Sequence, residues 1–98
     1  MFITFEGGEG SGKTTQSKLL VKYLNNHGTP AVWTREPGEP SLEVCNRIRD
    51  ILLHGGNMNL HVEKHLFMAD RMHHVEKFIR PALEEGKIVV CDRYLDSN

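Results

Sequence analysis

The stretch Gly7-Gly8-Glu9-Gly10-Ser11-Gly12-Lys13-Thr14 constrains this chain more than any other. It fits G-x-x-x-x-G-K-[ST], a loop built to cradle phosphate groups. Its glycines let successive backbone N–H groups turn toward one point. A following helix adds the partial positive charge of its N-terminus there. The loop works only between a strand and a helix, and the flanking residues supply both. Phe2 to Glu6 reads as a strand and Thr14 to Asn26 as a helix. In that setting Lys13 reaches the outer phosphates and the Thr14 hydroxyl can hold Mg²⁺.

Ninety-eight residues make one small domain at most. A net charge of −1 supplies no global basic field for nucleic acid or an anionic membrane, so phosphate must be bound locally. No apolar run approaches the length of a membrane span. Met1 opens directly into a strand, without the pattern of a secretory leader, which makes the cytoplasm the expected compartment. Cys45 and Cys91 stand far apart outside any Cys-x-x-Cys pattern and read as reduced, structural thiols.

The first helix carries Leu19, Leu20, Tyr23 and Leu24 on one stripe, expected to face the core, with Gly28 just past its end. Ala31 to Arg35 reads as a second strand, at a distance from the first that suits a parallel βαβ crossover. Glu36-Pro37-Gly38-Glu39-Pro40 reads as a loop at the carboxyl end of that strand, where ligands bind in open α/β sheets. Ser41 is the expected N-cap of the next helix, whose buried stripe is Leu42, Cys45, Ile48 and Leu52, with His54-Gly55-Gly56 ending it. Asn59 caps a further helix through Leu60, Leu66, Phe67, Met72 and Val75 toward Ile79; Pro81 kinks or restarts it and Gly86 ends it. Ile88 to Asp92 is an apolar run closed by an acid, as in a strand buried on both faces. Three parallel strands fall short of the five or six usual in doubly wound sheets, so residues 1–98 read as the first half of a domain.

Asp92, closing the last strand, is placed to join a Mg²⁺ shell beside the phosphate loop. Arg35 and Arg93 read as lying just beyond strand ends, where their guanidinium forks converge on one crevice and grip a second phosphate-bearing substrate. Phe67 and Arg71 share a helix face, where one can stack on a base and the other read its edge. His61 and His65, and the adjoining His73 and His74, read as solvated helix-face residues rather than metal ligands.

Four stretches taken together resemble the thymidylate kinases, bacterial type, along essentially the whole chain. They are Phe5 to Gln16, Thr34-Arg35-Glu36-Pro37-Gly38, Leu66-Phe67-Met68-Ala69-Asp70-Arg71, and Cys91-Asp92-Arg93-Tyr94 with Ser97. The resemblance implies an α/β fold, the P-loop NTPase-type three-layer sandwich with a parallel sheet, of which this chain has the first three strands and their helices. It implies that Gly7, Gly8, Glu9, Gly10, Ser11, Gly12, Lys13, Thr14 and Thr15 hold the phosphates of ATP, with Thr14 and Asp92 on Mg²⁺. It places Glu9 near the sugar of dTMP, Arg35 and Arg93 on its phosphate, Phe67 and Arg71 on thymine, and Ser97 near the base. Lys13, Arg93 and Asp92 become the catalytic set.

The chain departs from the family where Glu39-Pro40 replaces the usual Gly-Thr after Arg-Glu-Pro-Gly. The family's lid, adenine-binding loop and last two strands correspond to positions beyond Asn98. The implied activity is transfer of the γ-phosphoryl group of ATP to dTMP, giving dTDP. The alternatives are another nucleotide or small-molecule kinase on this scaffold, or a nucleotide-binding fragment without activity. The expected assembly is a homodimer, through the family's helical interface and through an unpaired edge at the first strand.

Overall fold

The computed structural model describes residues 1–8 and 11–94. Glu9, Gly10 and Ser97, all expected at the site, lie outside the described residues. Strand β1 (Phe2–Gly7) leads through the glycine loop into helix α1 (Lys13–Asn26), followed by β2 (Ala31–Glu36) and α2 (Glu43–His54). Helix α3 (Leu60–His74) continues without a break into a π-helical turn (Val75–Ile79) and α4 (Arg80–Glu84), and β3 (Ile88–Tyr94) follows. The sheet is parallel with order β1-β3-β2, so the most apolar strand is central and β1 is an edge among the described residues.

Alternation along the strands divides the site between two faces of this sheet. Residues Trp33 and Arg35 of β2 share a face with Val90 and Asp92 of β3, because they are register partners. That face meets α1, where Trp33 Nε1 donates to Ser17 Oγ at 2.9 Å. Val32, Thr34 and Glu36 share the other face with Val89, Cys91 and Arg93. There Ile79 and Ala82 close over Val89, with Val32, Val75, Phe78 and Leu83 around them. Each large apolar side chain fully buried in that cluster stabilises the fold by about 1.5–3 kcal/mol. Helix α2 packs on α3, outside the sheet. The result is the expected three-layer α/β arrangement.

Several local expectations hold. Asn59 caps α3 by accepting the His61 N–H at 2.7 Å, and Gly28 and Gly86 end helices at φ +82 and +83. Cys45 and Cys91 are buried free thiols, and burial pushes the Cys45 thiol up to about 12.

Other expectations are corrected. On α1 Ser17 is buried and Leu20, Val21 and Leu24 are half-buried, while Leu19 and Tyr23 are exposed. A polar residue, Ser17, sets the helix's rotation through its bond to Trp33, so a purely apolar stripe lies about one residue too far round. Ser41 does not cap α2; Leu42 holds that position. The Ser41 hydroxyl and backbone N–H instead both donate to the buried Glu39 carboxylate, which the departure from Gly-Thr puts into this loop. On α3 Leu60 and Met72 are exposed, whereas Asp70 and His74 are fully buried. His61 and His65 are exposed as expected, but His74 is not a solvated helix-face residue. It faces the polar end of β2, where Thr34 and Glu36 satisfy both of its ring nitrogens. Pro81, lacking an N–H, stands in the first turn of α4 just after the π turn, the restart that its sequence position allows.

Candidate active site

Lys13 is the first residue of α1, entered from Gly12 at φ +80, a backbone angle that glycine adopts without strain. Asp92 lies directly opposite, in the buried strand β3. Lys13 Nζ pairs with Asp92 Oδ1 at 2.6 Å, and the Thr14 hydroxyl donates to Asp92 Oδ2 at 2.5 Å. Both carboxylate oxygens are therefore engaged, one by Lys13 and the other by Thr14. The pair is largely dry, with side-chain exposures of 13% and 6%. Ser17 Oγ donates to the Thr14 carbonyl at 2.9 Å, tying this turn to Trp33. Around them opens a cleft of about 290 Å³ that Lys18, Arg35 and Arg49 also line. Lys18 Nζ lies over the Trp33 ring at 4.5 Å, an arrangement in which the cation is attracted to the ring face.

Arg93 points the other way. Both arginines lie within strands rather than beyond their ends, and on opposite faces, so they do not enter one crevice. Arg93 lines a second cleft, of about 320 Å³, with Phe67, Met68, Arg71 and Lys64. Glu36 and Tyr94 line both clefts, so the two are neighbours across the carboxyl end of the sheet. Phe67 and Arg71 face the same cleft, as their spacing on α3 predicts.

Glu36 organises the second cleft. Its Oε1 accepts from Arg71 Nε and Nη2, both at 3.0 Å, and lies 3.3 Å from Arg93 Nε. Its Oε2 accepts from His74 Nδ1 at 3.0 Å. Burial by itself raises the pKa of this carboxyl, but the His74 bond and the Arg71 charge outweigh it and hold Glu36 below the usual carboxylate range. Arg93 also reaches Glu6 at 3.2 Å.

The loop between β2 and α2 supports the first cleft. Arg35 Nε donates to the Gly38 carbonyl, and Arg49 Nη1 to the Pro37 carbonyl at 2.8 Å. The Gly38 N–H donates to Asp70 Oδ1 at 3.0 Å, while Asp70 Oδ2 has no partner among the described residues. Burial pushes the Asp70 carboxyl above the usual range, more than the Gly38 bond pulls it down.

The model of the thymidylate kinase family matches residues 5–98. The chain belongs to the thymidylate kinase family. A thymidylate kinase of Orientia tsutsugamushi (strain Ikeda) is 57% identical over 96 residues, covering 98% of this chain and 43% of that protein. One from Symbiobacterium thermophilum is 50% identical over 100 residues, covering all of this chain and 46% of that protein. The crystal structure of thymidylate kinase from Ehrlichia chaffeensis superposes with a TM-score of 0.84 at 43% identity, over 95% of this chain and 52% of that one. The chain thus spans about half the length of the thymidylate kinases it matches.

Pattern in the sequence does not single out Glu36, His74 or Tyr94 as site residues. Glu36 reads as loop because Pro37 follows it, yet it is the last residue of β2. His74 stands four residues after Asp70, and this i, i+4 pair of polar side chains on an otherwise half-apolar helix face is the available signal.

Proposed function

We propose that residues 1–98 form the N-terminal part of a single nucleoside monophosphate kinase domain that transfers the γ-phosphoryl group of ATP to dTMP, giving dTDP for dTTP synthesis. The observation that carries this reading is the pair of clefts sharing Glu36 and Tyr94: a cationic phosphate-loop cleft on one face of the sheet, and an aromatic-plus-arginine cleft on the other. A phosphoryl donor and a base-bearing acceptor require this pairing.

Residues 7–15 bind the ATP phosphates, and Lys13 exchanges its contact with Asp92 for the outer phosphates. Thr14 and Asp92 present adjacent hard oxygen donors, the chemistry that suits Mg²⁺, which keeps several waters and takes its remaining ligands from phosphate. When bound there, Mg²⁺ neutralises charge developing on the transferred group. Arg93 grips the acceptor phosphate in the second cleft, Arg35 lies beside it in the phosphate-loop cleft, Phe67 stacks on thymine and Arg71 bonds its edge. Catalysis is positioning and charge stabilisation, with no covalent intermediate.

Assembly as a homodimer is part of the same proposal, supported by Val44 and Ile51 on α2 and Met68 and Met72 on α3, all exposed. No described helix is long and apolar enough to cross a membrane, and the cytoplasm is the proposed compartment.

The test is calorimetric binding and ATP-dependent transfer with dTMP, dUMP, AMP and dCMP, with Lys13→Ala as control. Preference for dTMP is expected, and Lys13→Ala is expected to lower phosphoryl transfer by roughly 10²–10³-fold, as loss of one charge-stabilising group does. Preference for AMP or dCMP, or near-normal transfer by Lys13→Ala, would sink the assignment. Binding of both ATP and dTMP without transfer would favour the second reading, a nucleotide-binding unit that needs the remainder of the relatives' length for turnover.

A further inference from the structure

Three buried polar side chains form a relay that ends in the second cleft. Thr34 and His74 are wholly inaccessible, and Glu36 is 8% exposed. His74 Nε2 lies 2.6 Å from Thr34 Oγ1, and Nδ1 lies 3.0 Å from Glu36 Oε2. A carboxylate only accepts, so Nδ1 carries the hydrogen and donates. The Phe78 ring packs against the imidazole at 5.8 Å between centroids.

A buried imidazole with both nitrogens satisfied is a costly way to fill a core position that an apolar side chain would fill more cheaply. What it supplies is orientation. With Oε2 committed to His74, the Glu36 carboxylate cannot turn both oxygens toward one guanidinium. Oε1 is left between Arg71 and Arg93, and touches both. Those arginines are long and partly exposed, with side-chain exposures of 54% and 28%. Fixing each costs rotamer entropy, which an ordered site must meet before its ligand arrives. The helix itself is adjusted for this contact. The π turn begins immediately after His74, and its i→i+5 period brings His74 and Ile79 onto the same sheet-facing side.

We propose that His74 is a positioning residue for the acceptor cleft: through the Thr34–His74–Glu36 relay it fixes the carboxylate that holds Arg71 and Arg93 ready for the acceptor nucleotide. The proposal rests on the reading of that cleft as the dTMP site. The relay serves the α3 face of the sheet, whereas Lys13 and Thr14 act on the α1 face. Its loss therefore weakens acceptor binding and spares the donor.

The experiment is calorimetric titration of the full chain and its variants with dTMP and, separately, with MgATP. His74→Phe keeps a ring and removes both bonds; it is expected to raise the dTMP Kd about tenfold or more, with the MgATP Kd within about twofold of the parent. His74→Asn keeps a donor where Nδ1 stood and is expected to restore the dTMP Kd to within about threefold. Thr34→Val removes only the outer link, with an expected rise in the dTMP Kd of about threefold. An unchanged dTMP Kd in His74→Phe, or equal losses for both ligands, overturns the relay while leaving the acceptor reading intact. A parent chain that binds no dTMP overturns the acceptor reading and the relay together. Should His74→Phe fail to fold by circular dichroism, Thr34→Val decides: a selective rise for dTMP supports the relay, and an unchanged value overturns it.

Discussion

At Gly38 an added methyl group would meet both a left-handed backbone and a close neighbour. Gly38 sits at φ +88, and a Cβ built there would lie 2.5 Å from Arg49 Cδ and 2.7 Å from Arg49 Cβ. Arg49 Cβ is fixed to the α2 backbone, so the guanidinium arm cannot simply swing away. Gly28, at φ +82 with nothing within 4 Å of where a Cβ would stand, carries the backbone strain without the collision. Gly28→Ala is therefore the natural control. Its cost is the left-handed conformation alone, about 1–2 kcal/mol, less the few tenths to 1 kcal/mol returned by a stiffer unfolded chain. Gly38→Ala adds about 1–3 kcal/mol of overpacking against Arg49. It also endangers the Arg49–Pro37 bond, worth about 1 kcal/mol. The expected difference between the two variants is thus about 2–4 kcal/mol, or roughly 10–25 °C in Tm for a chain of this size. Urea unfolding followed by circular dichroism measures it directly. A Gly38→Ala chain within about 0.5 kcal/mol of Gly28→Ala, the usual size of an inconsequential surface change, would refute the argument that this loop is held by its contact with Arg49.

Two further substitutions test the carboxyls. Asp70→Asn keeps an oxygen for the Gly38 N–H and removes a buried charge. Because the folded-state pKa of Asp70 lies above its unfolded value, the native state binds the proton more tightly, and the parent loses stability as pH rises from about 4, the usual Asp value, through the folded pKa. The stability advantage of Asp70→Asn over the parent should therefore grow with pH across that window; an advantage that shrinks would refute the sign. Asp92→Asn removes the counter-charge of Lys13 and weakens one of the two proposed Mg²⁺ donors. Titration of ATP with and without Mg²⁺ should show the magnesium-dependent gain in affinity fall about tenfold or more, and an unchanged gain would remove Asp92 from the metal site.

The parts of this molecule that depend on neighbours in sequence are legible in the sequence. The glycine loop, its flanking strand and helix, the Asn59 cap and the apolar β3 all follow from local pattern. Helical spacing alone places Phe67 and Arg71 together. The parts that depend on distant polar partners are not legible in this way. His74 pairs with Thr34 and Glu36 across some forty positions, and Asp70 meets Gly38 across about thirty. No periodicity announces a polar side chain that is buried because another polar side chain awaits it. The separation of Arg35 from Arg93 has a readable cue, since adjacent residues in a strand face opposite ways. The cue is lost when β3 is ended at Asp92, two residues short of its observed end.

Asp92 and Arg93 make the site dependent on parity. One is even and one odd along a single strand, and each lines a different cleft because of that difference. Thr34, Arg35 and Glu36 repeat the rule on the neighbouring strand. A single residue inserted or deleted within β3 ahead of Asp92 would turn the partner of Lys13 toward the second cleft and Arg93 toward the first. Drift by point substitution can tune either half of this site separately, but a change of chain length in its central strand exchanges the two at once.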